Sequence, residues 1–322
     1  MENMIVSSSP HIRSNESTSR IMLDVCIALV PALVASVIFF GLRPLYLTAL
    51  CMVFSMGAEA IWQKLTKKPV LIGDFTAAVT GMLLAFNLPA SAPWWICLIG
   101  SAFSIIIVKQ FFGGVGHNFM NPAMAGRAFL LASWPVIMTT WQAPFKGVDA
   151  VTSATPLAVL KDPAAGALPE IMDVFLGNVG GCIGETSALA LLLGGIYLVA
   201  RKVISPRIPV CYILSVALLA VIFPNEGLTA IESAAYNAFS GGLFLGAIFM
   251  ATDYVTSPIT KIGQLIMGVG CGIITFVIRR FGGYPEGVTY AILLMNVATP
   301  LIDRATQPKT FGALKVKKGG AR

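Results

Sequence analysis

Residues 21–42 hold one charged side chain, Asp24, and residues 45–62 hold one more, Glu59. Runs of this length and polarity have few places to go. Lipid offers no partner for backbone N–H and C=O groups, so a spanning segment satisfies them internally, as a helix or a closed barrel. These runs are near twenty residues long and lack the alternation of a barrel strand, which selects helices. Similar runs cover residues 74–88, 94–109, 177–200, 208–223, 231–250, 262–278 and 286–302, and a short helix is expected around Arg127. The expected fold is an all-α polytopic membrane protein with ten transmembrane helices. Composition agrees: 11% of the 322 residues are charged, against roughly a quarter in soluble domains.

Charge sets the expected topology. Lys64, Lys67 and Lys68 follow the second span, Arg201, Lys202 and Arg207 follow the sixth, and the tail from Asp303 carries six bases and one acid. With ten spans and both termini cytoplasmic, all three clusters face the cytoplasm. The segment between residues 135 and 173 has two lysines against four acids and falls outside. Arg279 and Arg280 break the pattern, as a basic pair on the outer side. The net charge of +7 is thus anchoring and gives no reason to expect a nucleic-acid partner. The N-terminus is polar for twenty residues, so no cleavable leader is expected. The resulting division is a cytoplasmic arm at 1–20, a five-helix unit at 21–134, an extracytoplasmic segment at 135–176, a second five-helix unit at 177–303 and a basic tail at 304–322.

The two five-helix units resemble each other. Ile106-Ile107-Val108-Lys109-Gln110-Phe111-Phe112-Gly113-Gly114 resembles Thr275-Phe276-Val277-Ile278-Arg279-Arg280-Phe281-Gly282-Gly283, and Gly81-Met82-Leu83-Leu84-Ala85-Phe86 has a counterpart in Gly246-Ala247-Ile248-Phe249-Met250. Five spans is an odd number, so the halves would be inverted, a 5+5 design that puts a site near the midplane between interrupted helices. Chance likeness between glycine-rich apolar segments is the alternative.

Polar residues in apolar surroundings mark candidate sites. Arg127 lies in an apolar run, where arginine is costly and usually functional; a helix-end arginine reaching headgroups is the other reading. Asn118 and Asn121 suit either ligand contact or capping of a helix with Pro122 in its first turn. Glu185 and Asp253, in Gly- and Ser/Thr-rich segments, are candidates for an ion pathway, with capping and interhelical hydrogen bonds as the alternative. The six cysteines are scattered singly, with no metal-binding spacing among them. No catalytic nucleophile–base set is present.

One polar stretch interrupts the centre of the chain: Asp149-Ala150-Val151-Thr152-Ser153-Ala154-Thr155-Pro156-Leu157. As local structure it reads as a turn, with Pro156 fixing where a helix begins. It also resembles the flavin-attachment motif of Rnf and Na⁺-pumping quinone reductase complexes: Asp, two variable positions, Ser or Thr, Gly or Ser, Ala, then Thr or Ser. Three further stretches are similar to the RnfD family. They are residues 113–130, Gly180-Gly181-Cys182-Ile183-Gly184-Glu185-Thr186-Ser187-Ala188-Leu189, and Phe249-Met250-Ala251-Thr252-Asp253-Tyr254-Val255-Thr256-Ser257-Pro258 followed by Glu286-Gly287-Val288-Thr289-Tyr290-Ala291. The related NqrB proteins of the quinone reductase typically carry more sequence at the N-terminus, so the compact start here favours Rnf.

The resemblance implies a bacterial inner-membrane component of an ion-translocating ferredoxin:NAD⁺ oxidoreductase, working with the Rnf subunits A, B, C, E and G and coupling electron flow to Na⁺ or H⁺ movement. It implies FMN joined to Thr155 through a phosphoester, within a motif that includes Asp149 and Ser153. A separate flavin transferase would attach it, with Asp149 helping that enzyme dock or bind its metal. Arg127 is the expected partner of the phosphate, and Asn118 and Asn121 candidate contacts for the flavin's polar edge. A noncovalent riboflavin and a urea-channel-like 5+5 fold are also implied. Two other functions remain: a solute or ion channel of the same inverted-repeat design, and a scaffold for neighbouring subunits.

Overall fold

The computed structural model describes residues 17–145, 154–162, 164 and 166–308. These residues are helical with no strand; one isolated antiparallel bridge joins Pro89 and Cys182. In chain order the helices are α1 Thr18–Phe40, α2 Arg43–Leu65, α3 Thr76–Phe86, α4 Trp94–Ala102, α5 Pro122–Ser133, α6 Pro135–Met138, α7 Pro156–Lys161, α8 Ile171–Leu176, α9 Ala188–Ala200, α10 Arg207–Ile222, α11 Ala230–Phe239, α12 Leu243–Leu245, α13 Lys261–Phe281 and α14 Val288–Thr306. Two continue as π-wound turns, α4 through Phe103–Gln110 and α12 through Gly246–Met250. Among the described residues, α1, α2 and α13 are each long and apolar enough to cross a membrane, and the bent pair Ala230–Phe239 and Leu243–Met250 makes a fourth span if counted as one.

The helix ends follow from capping chemistry. Ser17, Asn121, Thr155, Ser187, Thr229 and Thr260 each sit before a first turn and accept a backbone N–H there, the usual remedy for the unpaired amides of a helix start. Thr229 and Glu232 form a full capping box. The helices pack in a repeated pattern: α2 lies on α3 and α4, α10 lies on α11 and α13, α1 lies on α9, and α5 lies on α14. At the α1–α9 contact a Cβ on Gly194 would stand 2.1 Å from the Ala28 carbonyl oxygen, so only glycine permits that approach. Outward faces carry exposed Val53, Ile61, Leu214, Leu218 and Leu301, a distribution that suits lipid and would be a large adhesive patch in water.

Two expected spans differ from what forms. Residues 177–200 contain a helix only from Ala188, because residues 177–187 fold inward instead. There Ile183 N–H donates to the Leu88 carbonyl at 2.9 Å and Gly184 N–H to that of Phe86 at 2.8 Å. The run at 231–250 is broken, with a 62° bend between its halves. The break falls at Ser240-Gly241-Gly242, where Gly241 has φ +69°, a backbone conformation that disfavours residues with a Cβ. The central segment is not bare loop either, since α6, α7 and α8 lie within it.

Candidate functional site

Thr155 is the residue before α7. Its φ and ψ, −72° and 153°, are extended, its hydroxyl accepts the Ala158 N–H at 3.2 Å, and Pro156 takes the first helical position. Pro156 thus fixes where the helix begins, as the sequence leads one to expect, and the cap sets the backbone on which the Thr155 hydroxyl is carried. Thr155 is half-buried rather than enclosed. Asp149 and Ser153 lie outside the described residues.

Thr155 lines a cavity of about 340 Å³ between α5, α7, the inward fold at 179–186, the α11–α12 break and the start of α14. Trp141, Phe239, Tyr284 and Tyr290 contribute aromatic wall. Arg127 lines the same cavity. Two residues singled out separately in the sequence thus meet at one space.

Arg127 is buried and well engaged. Its Nη1 lies 2.7 Å from Glu185 Oε1 and donates to Asn87 Oδ1 at 2.6 Å; its Nη2 faces Cys182 Sγ at 3.6 Å and Glu286 Oε2 at 3.7 Å. Glu286 in turn lies 3.5 Å from Arg279, and its carboxylate accepts the Gly242 N–H. Arg279 also donates to the carbonyls of Asn237 and Ser240. Two arginines and two glutamates form a chain whose formal charges cancel. Buried ions persist only when paired and hydrogen-bonded, and each member here meets that condition.

Glycine makes the arrangement possible. A Cβ on Gly184 would stand 2.4 Å from the Phe86 Cβ, and one on Gly242 would stand 2.6 Å from Glu185 Oε1. The inward fold and the α11–α12 break thus press against the groups that balance Arg127. Asn87, just past the C-terminus of α3, is within the same contact set and places its amide 3.7 Å from Met250 Sδ. A cation suits that helix end, where unpaired carbonyls concentrate negative charge.

Asn118 and Asn121 line a different, smaller cavity of about 110 Å³, together with Thr76, Lys109 and Asp253. Asn121 caps α5, accepting from Ala123 N–H at 3.0 Å and Met124 N–H at 3.2 Å, and its amide donates to the Met250 carbonyl. Asn118 donates to the Met120 carbonyl. The structure therefore places neither beside Thr155. The two acids proposed for an ion pathway are likewise split: Glu185 belongs to the Thr155 cavity and Asp253, which accepts the Thr256 hydroxyl at 3.1 Å, to the second.

Several participants escaped the sequence reading. Glu286 balances both arginines, and Asn87 holds Arg127. Lys109 is buried against Glu59 at 2.9 Å and donates to Thr76 Oγ1 at 2.7 Å, while Gln110 donates to Glu59 at 2.6 Å. The available signal was the basic residues themselves: a lysine or arginine within an apolar run implies an acid somewhere in the fold.

Known proteins point the same way. The family described as NQR2, RnfD, RnfE matches residues 5–312. The chain is 54% identical over 318 residues to the D component of the Na⁺-translocating ferredoxin:NAD⁺ oxidoreductase complex of Acetobacterium woodii, covering 98% of each. It is 46% identical over 316 residues to the D component of the proton-translocating ferredoxin:NAD⁺ oxidoreductase complex of Clostridium ljungdahlii, covering 95% of this chain and 96% of that one. It is 37% identical over 347 aligned positions to the D component of the ion-translocating oxidoreductase complex of Escherichia fergusonii, covering 96% and 99%.

Proposed function

The chain belongs to the NQR2, RnfD, RnfE family, and from that premise we propose that it is the RnfD component of an ion-translocating ferredoxin:NAD⁺ oxidoreductase complex. It is a membrane protein and acts within a multi-subunit assembly, in our reading with the Rnf subunits A, B, C, E and G. The catalytic act belongs to the complex: electrons pass between ferredoxin and NAD⁺, and Na⁺ or H⁺ is moved.

In this reading Thr155 carries FMN as a phosphoester, installed by a flavin transferase. A flavin supplies one- and two-electron exchange at a fixed place, while the protein sets its position and electrostatic surroundings. The observation that carries this is the shared cavity of Thr155 and Arg127. Its volume is at the small end of cofactor-sized pockets, and its aromatic wall suits a flat ring system. Thr155 would hold the group. Arg127, held in place by Glu185 and Glu286, would offer its guanidinium as a hydrogen-bond donor at the cavity wall, and Trp141 and Tyr290 would exclude water. A noncovalent riboflavin stays in our reading without an assigned place, since the second cavity, of about 110 Å³, falls below the size of cofactor pockets.

We further read the helices as ten spans in a 5+5 inverted repeat in the bacterial inner membrane, termini cytoplasmic and Thr155 outside. Support comes from the repeated packing of α2–α3–α4 and α10–α11–α13. It also comes from Arg201 Nη2 lying 3.2 Å from Asp24, which puts the end of α9 beside the start of α1. Inversion requires that the first helices of the two halves run antiparallel.

Intact mass of the purified chain tests the flavin assignment: a phosphoester-linked FMN adds about 0.44 kDa and leaves a fluorescent band after denaturation. Thr155→Val is expected to remove both signals while the chain still assembles. A dark, unmodified wild-type band made with the flavin transferase present would favour a channel without redox work.

A further inference from the structure

Arg279 and Arg280 are the basic pair that contradicts the charge rule for the outer side, and the function proposed above gives Arg280 nothing to do. The two arginines line a small cavity of about 70 Å³ with Lys161, Asn225 and Asn237, roofed in part by Leu157. No acidic residue lines it among the described residues. Three cations converge on this space, and only Arg279 has an acid, Glu286, beside it; Lys161 and Arg280 are exposed, so their mutual repulsion is partly screened by solvent.

The donors there are not all used. Arg279 is 7% exposed, and its Nη1 and Nη2 are engaged by the Asn237 and Ser240 carbonyls and by Glu286. Its Nε–H has no hydrogen-bond partner. A buried, charged group with an unmet donor is costly. Lys161 is held by the Gly282 and Tyr284 carbonyls, neutral groups that leave its charge unbalanced. Glu286 is shared with Arg127 and cannot neutralise this cluster alone.

We propose that this cavity binds a phosphate-class anion, with Arg279 Nε–H, Arg280 and Lys161 as its donors. Guanidinium and ammonium donors together fit phosphate oxygens, and the space takes a single such group. The source is either the headgroup of an anionic phospholipid or free inorganic phosphate. The site uses neither Thr155 nor Arg127, so it stands or falls separately from the flavin assignment.

The test uses the full chain in its complex, delipidated in a zwitterionic detergent. Radiolabelled orthophosphate binding is measured by equilibrium dialysis at fixed ionic strength. Retained lipid is counted by native mass spectrometry after incubation with phosphatidylglycerol or phosphatidylcholine. Wild type is compared with Lys161→Gln/Arg280→Gln, checked for an unchanged elution profile, and with the charge-keeping Lys161→Arg/Arg280→Lys. We expect one equivalent of one probe on wild type, bound about tenfold more weakly by the double Gln variant and restored in the charge-keeping one. Saturable orthophosphate identifies the free anion. One extra phosphatidylglycerol over phosphatidylcholine, without orthophosphate uptake, identifies a lipid headgroup. Equal binding by wild type and the double Gln variant overturns the proposal.

Discussion

Removing Arg127 isolates the energetics of the charged chain beneath Thr155. In Arg127→Met, Glu185 loses its 2.7 Å partner and remains buried, at 5% side-chain exposure. Stripping one partner from a buried pair costs about 3–5 kcal/mol, because the remaining charge has neither water nor counter-ion. Glu185→Gln is milder. Arg127 still has Asn87 at 2.6 Å and Glu286 at 3.7 Å, so the loss is about 1–3 kcal/mol, of the order of one charged hydrogen bond. The double variant Arg127→Met/Glu185→Gln removes both charges and recovers much of the deficit, which gives a coupling of about 1–3 kcal/mol. Thermal stability of the tagged chain, read by size-exclusion after heating solubilised membranes, ranks the four proteins. Arg127→Met is expected to be the worst and the double variant better than it. If Arg127→Met behaves like a surface substitution, within about 0.5 kcal/mol, or if the single losses simply add, the pairing is not what holds this region.

Gly184→Ala puts a methyl against the Phe86 Cβ; the expected strain is about 1–3 kcal/mol, with reduced flavin fluorescence as Glu185 is displaced from Arg127. Glu59→Gln strips the acid from buried Lys109 and is expected to cost about 3–5 kcal/mol, a loss that adding Lys109→Met should largely reverse in the same heating assay. Glu286→Gln makes the cavity floor more positive by one charge, so the flavin's midpoint potential is expected to rise, on the order of 60 mV, a tenfold change in a one-electron equilibrium. Spectroelectrochemical titration reads that shift, and a fall in potential would refute the charge argument. Thr155→Ser keeps a hydroxyl at the same backbone position and is expected to retain in-gel fluorescence, where a dark band would mean that the methyl group matters for attachment.

Much of the helical plan was readable because lipid imposes a simple rule on composition. The apolar runs beginning near residues 21, 45, 208 and 262 became helices starting within a few positions of those points. The failures have a common cause. Residues 177–187 and the Gly241-Gly242 break are short Gly-rich stretches flanked by strongly apolar ones, and hydropathy summed over a span-length run does not distinguish a continuous helix from one that includes an irregular segment whose carbonyls and amides are satisfied by other protein. The site was half legible. Arg127 and Thr155 announced themselves by chemistry that packing does not need, and they share a cavity. Glu185 lies 58 positions from Arg127, and a partnership at that separation is set by the fold rather than by spacing. Asn121 shows the reverse: its local role as a cap was written beside Pro122, and the cavity it lines could not be read from the same residues.

Lys109 and Arg279 lie one register position apart before their Phe and Gly-Gly, Gln110 being the residue that aligns with Arg279, and the two cations have reached opposite solutions. Lys109 is closed off, with Glu59, Thr76 and the Gln110–Glu59 contact giving it a full set of partners within its own half of the chain. Arg279 keeps a donor unused and shares its acid, Glu286, with Arg127. The first arrangement fixes a structure; the second leaves positive potential beside α7 and the Thr155 cavity. A group that gains or carries negative charge is favoured there and has no comparable attraction at the other site. If the two halves do share an origin, the difference between these two cations is the physical content of their divergence. Exchanging the solutions tests it directly: Glu59→Gln should make the Lys109 cavity the more positive one without creating any flavin attachment there.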